Sequence, residues 1–103
     1  MKNSFQHPYY AVIFKSKRTD GDNGYTDMAD QTMQLVEKQS GFLGVDSVRG
    51  DDGVGITVSY WDSLESIEKW KHHALHMQAK ENGKSKWYSE YTIKICKIEP
   101  KID

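Results

Sequence analysis

Apolar and polar positions follow two periods along the chain. Tyr9 to Arg18 (YYAVIFKSKR) is dense in β-branched and aromatic residues and ends in charge, which predicts a strand. Thr19 to Gly24 is turn chemistry. From Tyr25 the spacing changes. Tyr25, Met28, Ala29, Leu35 and Val36 fall near one helical face, with Thr32 between them and Met33 off the stripe. Gly41 suits a left-handed stop after that helix. Phe42 to Arg49 and Val54 to Trp61 read as a second and third strand around the hairpin loop Gly50-Asp51-Asp52-Gly53. In the third strand Val54, Ile56, Val58 and Tyr60 share one face, and Gly55, Thr57, Ser59 and Trp61 the other. Asp62 is the expected N-cap of a second helix, with Glu65 completing a capping box. Leu64, Ile67, Trp70, Ala74 and Met77 continue at helical spacing, and Gly83 is the expected end. Tyr91 to Ile98 alternates into a fourth strand.

The order β-α-β-β-α-β predicts an α+β, ferredoxin-like plait: a four-stranded antiparallel sheet with both helices on one face. The opposite face, with Ala11, Ile13, Val54, Ile56 and Val58, is too apolar to leave in water. Covering it with a second copy predicts a homodimer. Composition points the same way, because 37% hydrophobic residues and a mean hydropathy of −0.77 make a thin core for 103 residues. Residues 9–99 are expected to form one domain, with 1–8 a short disordered lead-in and 100–103 a tail. Lysine plus arginine number 14 against 15 acidic residues, which gives no reason to expect nucleic acid or an anionic membrane as partner. Cys96 is the one cysteine, so no intrachain disulfide forms and a reducing, cytoplasmic setting is expected. No apolar run approaches membrane-spanning length.

Candidate chemistry concentrates between Trp61 and Tyr91. This stretch holds all three tryptophans, two of the six tyrosines and three of the four histidines. Aromatic rings beside groups that titrate near neutral pH suit an apolar small-molecule pocket with a few polar handles. Trp61, Trp70 and Trp87 are candidate pocket walls, and Tyr60 and Tyr91 candidate donors to a ligand oxygen; the plainer reading of Trp61, Trp70, Trp87 and Tyr91 is core and interface packing. Trp87-Tyr88 would alternatively reach over the pocket of a partner subunit. His72 and His76 have zinc-ligand spacing, but His73 stands where a metalloprotease needs glutamate and no cysteine is near, so no metal is expected. His76 is the leading candidate base, with His73 second; a buried histidine satisfied by a backbone carbonyl is the plainer reading. Arg49-Gly50-Asp51 is explained by its hairpin turn, and Cys96 as an inert strand thiol.

Ser40-Gly41-Phe42-Leu43-Gly44 and Tyr60-Trp61-Asp62-Ser63, in this element order, resemble the antibiotic biosynthesis monooxygenase family of dimeric α/β barrels. The likeness extends to Trp70-Lys71, His76, Ala79, Gly83, Trp87-Tyr88 and Tyr91, a pattern of its uncharacterised bacterial members, and covers roughly residues 9–99. It implies a small oxygenase that uses no cofactor. The substrate, an aromatic or polycyclic organic molecule, would lose a proton and itself supply the electron to oxygen. A non-catalytic small-molecule-binding or stress-related dimer is the alternative. Haem-degrading members of the family carry a haem-ligating histidine ten residues after the helix tryptophan. Here that position is Lys80, and the first strand lacks their asparagine, so haem binding is disfavoured.

Overall fold

The first strand, β1, runs Tyr9–Arg18 and is followed by α1 (Tyr25–Val36), β2 (Phe42–Arg49), β3 (Val54–Trp61), α2 (Leu64–Lys80) and β4 (Tyr88–Ile98). This computed structural model describes residues 5, 6, 8–80 and 87–99, and for 75–80 the backbone path alone. The strands form one antiparallel sheet in the order β2-β3-β1-β4, the ferredoxin-like arrangement that the element order predicts. Gly83 and the expected 100–103 tail lie outside the described residues, as does most of the expected lead-in. From that lead-in, the Phe5 ring packs edge-on to Tyr9 at 5.2 Å and lies 5.7 Å from Tyr60.

Register assigns the two sheet faces. Tyr10, Val12, Phe14 and Ser16 of β1 stand beside Trp61, Ser59, Thr57 and Gly55 of β3, and beside Lys97, Ile95, Ile93 and Tyr91 of β4. This is the helix-side face, because its Trp61 packs with Val36 of α1 and Ile67 of α2. The open face carries Ala11, Ile13, Val58 and Tyr60, with Val48 of β2 opposite Ile56.

Two apolar clusters hold the helices. Val36, Trp61 and Ile67 are buried together, with Met33, Phe42 and Trp70 packed around them. Met28, Trp87 and Tyr88 form the second, with Phe14 and Tyr25. Met33, off the stripe in the sequence, therefore packs into the first cluster; α1 meets two separate clusters, and one narrow stripe does not describe it.

Both helix starts differ from the sequence expectation or from simple capping. Gly24 precedes α1 in the left-handed region without a side-chain cap. Asp22 serves instead, accepting from the Thr26 amide at 3.2 Å and from its hydroxyl; that hydroxyl bond holds the exposed carboxyl below its usual range. At α2 the cap is Ser63, whose hydroxyl accepts from the Ser66 amide at 3.1 Å, and not Asp62. Asp62 lies one residue too early and accepts from the Ser66 hydroxyl at 2.8 Å. Gly41 has φ of 85°, and a Cβ there would collide with Ser66 Oγ and Asp62 Oδ1, so the first-helix exit and second-helix entrance exclude every larger residue. Among the described residues no helix is long and apolar enough to cross a membrane.

Candidate functional site

The end of β3 delivers Trp61 to the helix side, where it is wholly buried. Its indole N–H donates to the Ser59 hydroxyl at 2.9 Å, so its one polar atom is satisfied inside the core. Phe42 meets it edge-on at 5.5 Å, and Trp70 of α2 stacks on it at 6.2 Å with 25° between the rings. Trp70 is half-buried. Part of its surface therefore remains to bound whatever lies beside the first cluster.

Trp87 immediately precedes β4 at the other end. Trp61 stands opposite Tyr10 and Tyr88 opposite Arg18, eight residues along β1 or about 26 Å. Trp87 is also wholly buried, with its indole N–H on the Asn23 carbonyl at 3.0 Å. Charge gathers at this end. Arg18 donates to the Trp87 carbonyl, and its guanidinium lies 3.8 Å over the Tyr25 ring. Tyr88 packs edge-on to Phe14 at 5.3 Å and to Tyr25 at 5.9 Å. Burial, then Tyr25, pushes the Tyr88 phenol above its ordinary pKa, while Arg49 and Arg18 pull the other way.

Between the two ends the helix-side face divides lengthwise. Its β1/β4 half is apolar: Val12 and Phe14 are half-buried, and beside them Ile93 and Ile95 are 51% and 50% exposed. Its β2/β3 half is more polar: the Ser47 and Thr57 hydroxyls share a hydrogen bond of 2.7 Å, and Ser59 follows opposite Val45. An organic molecule with an apolar body and a polar edge matches that division.

The predicted residues are only partly brought together. Trp61 and Trp70 form one unit, while Trp87 belongs to the other end. Tyr91 adjoins Phe14 on the helix-side face, with ring centroids 5.9 Å apart. Tyr60 lies on the open face with its hydroxyl on Asp46 at 2.9 Å, so it does not share a surface with the tryptophans. Trp87 and Tyr88 are buried within their own chain. His76 lies on α2 where side chains are outside the described residues. His72 is exposed with Nε2 3.8 Å from Glu68. His73 lines an open groove of about 540 Å³ with Gln39, Ser40, Lys69 and His72. That groove has no aromatic wall on which a ring would stack, so the helix-side strip is the better candidate for an organic ligand. The sequence reading did not single out Ile93 and Ile95 as exposed residues of the helix-side face, although β4 alternation pairs them with Tyr91. Nor did it place the Arg49 guanidinium over Gly55, where a Cβ would come within 2.6 Å of the guanidinium carbon.

A four-stranded antiparallel sheet with two helices places the chain in the class of ferredoxin-like α+β domains. Several solved structures share the fold. A conserved protein from Methanosarcina mazei Go1 superposes with a TM-score of 0.75 at 11% identity, over 89% of this chain and 94% of that one. SnoaB, a cofactor-independent oxygenase from Streptomyces nogalater solved as a mutant, gives 0.70 at 9% identity, over 85% and 90%. In sequence the chain is 51% identical over 92 residues to the uncharacterized protein YqjZ of Bacillus subtilis (strain 168), spanning 89% of this chain and 81% of that relative. Residues 12–96 match the family described as monooxygenase af470-like, and the chain belongs to that family.

Proposed function

We propose that this protein is a small monooxygenase that binds an aromatic or polycyclic organic molecule on its helix-side face and oxidises it without a cofactor. The observation that carries the reading is the strip of Ile93 and Ile95 beside Phe14 and Val12, with stacked tryptophans at one end and a tyrosine cluster at the other. Family membership supplies the reaction class, and the likeness to a cofactor-independent oxygenase supports the same chemistry.

In that chemistry a base removes a proton from an activated CH₂ of the substrate. The resulting delocalised anion passes one electron to O₂, and the radical pair joins as a peroxide. Loss of water leaves a carbonyl, so CH₂ and O₂ become C=O and H₂O. His76 is the proposed base, with His73, which lines the neighbouring groove, a poorer second; Trp70 would bound the site with the wholly buried Trp61 and Trp87 packed behind it, and Tyr91 would donate to the substrate oxygen. Tyr60 is assigned to the open face. There Val48, 73% exposed, and Ile56 form an apolar cross-strand pair that a second copy would cover, giving a cytoplasmic homodimer of residues 9–99.

Oxygen uptake with a tricyclic phenol, followed by quinone absorbance, tests the reaction. Turnover in wild type that His76→Ala abolishes is expected. Binding without oxygen uptake would favour the non-catalytic binding dimer, the reading that the outward placement of His72 and His73 supports. Light scattering should give about twice the 11.9 kDa chain mass.

A further inference from the structure

One row across the helix-side face runs Arg49, Gly55, Ser16, Tyr91, from β2 to β4. Arg49 does not simply extend into water. Its guanidinium lies over Gly55, donating to the Ser16 carbonyl at 3.2 Å, the Ser16 hydroxyl at 2.8 Å and the Gly53 carbonyl. Gly55 has no positive φ, so its backbone does not ask for glycine; a Cβ there would come within 2.6 Å of the guanidinium carbon and displace the arginine from this seat. A glycine inside a strand weakens it, and this one makes room for a cation. Ser16, which faces that cation, is the buried polar side chain of the core, 3% exposed.

Every one of those acceptors is neutral. Among the described residues Arg49 has no carboxylate partner, and its three bonds leave two of the five guanidinium N–H donors for another acceptor. Arg18 at the same end also donates to carbonyls, those of Trp87, Gly21 and Asp22. A fixed cation with spare donors and no counter-charge among the described residues is suited to an oxyanion. The next row inward, about 7 Å along the strands, is Phe14 and Ile93, the start of the apolar strip.

We infer that Arg49, seated over Gly55 and held by Ser16, is an anion subsite that selects aromatic ligands bearing a carboxylate or phenolate at the edge of the ring system. The anion meets the guanidinium while the rings lie along Phe14, Ile93 and Ile95. The inference rests on the proposed binding face and adds the ligand's charge and direction. Arg49 here is a specificity residue for binding and takes no part in proton transfer.

Titration of 2-naphthoate against its neutral isostere 2-naphthamide, followed by tryptophan fluorescence at low ionic strength, tests it. Wild type should bind the carboxylate about tenfold tighter. Added salt should shrink the preference. Arg49→Gln should remove the preference and leave naphthamide binding in place, and Arg49→Lys, which keeps the charge, should retain part of it. Should Arg49→Gln fail to fold, the salt dependence and the lysine variant decide. Equal binding of the two probes by wild type, or a preference that survives in folded Arg49→Gln, overturns the inference alone. Binding of neither probe overturns the binding face itself.

Discussion

The two ends of the helix-side face use the same residue type differently. At the Trp61 end the indole donates to a side-chain hydroxyl on its own strand, and its neighbours Phe42, Val36, Ile67 and Trp70 are apolar. At the Trp87 end the indole donates to a loop carbonyl, its own carbonyl holds Arg18, and Tyr25, Tyr88 and Arg49 stand close by. One end is built as core. The other joins a core to a cationic rim, and the apolar strip lies between them. Burial of an aromatic therefore does not distinguish packing from function here; the company it keeps does.

The comparison breaks most visibly on truncation. Trp61→Ala and Trp87→Ala should each cost about 3–5 kcal/mol, read as urea midpoints, because each empties a fully buried site. A loss below about 2 kcal/mol at Trp87 would mean that its end is a loose rim without a core. Ser63→Ala should cost about 1 kcal/mol through loss of the cap on α2. Asp62→Ala should cost less, since among the described residues the Asp62 side chain accepts from the Ser66 hydroxyl alone, at an exposed position.

Alkaline pH sharpens the contrast more gently. Tyr88 has its folded-state pKa raised, so its contribution is complete below the unfolded value near 10 and is lost as pH rises beyond it. Wild type should lose up to about 1 kcal/mol more than Tyr88→Phe between pH 9 and pH 11. Parallel curves for the two proteins would remove the buried phenol from the account.

Local pattern carried most of the fold. The first three strands run over the same residues as the sequence reading, because β-branched and aromatic residues, turn glycines and a charged hairpin loop agree there. The start of β4 moved from Tyr91 to Tyr88, since the register shift between Lys17 and Arg18 breaks the alternation that marks the strand. Ser63 was hidden by an equally good capping residue beside it, Asp62. The site was less legible. The topology makes β3 and β4 parallel, so Trp61 at the end of one and Trp87 at the start of the other are held a strand length apart. Residue spacing along the chain does not display that. Nor does it display Arg49 lying across β3, which depends on a space that only the assembled sheet defines.

The central claim is that an aromatic ligand occupies the helix-side face and not the open one. Two exposed apolar residues separate the faces: Ile93 on the helix side and Val48 on the open side. The deciding measurement is the fluorescence-detected Kd of 2-naphthamide for wild type, Ile93→Glu and Val48→Glu. The account predicts that Ile93→Glu weakens binding about tenfold or more while Val48→Glu leaves it unchanged. Weakening by Val48→Glu alone, or by neither substitution, would contradict it.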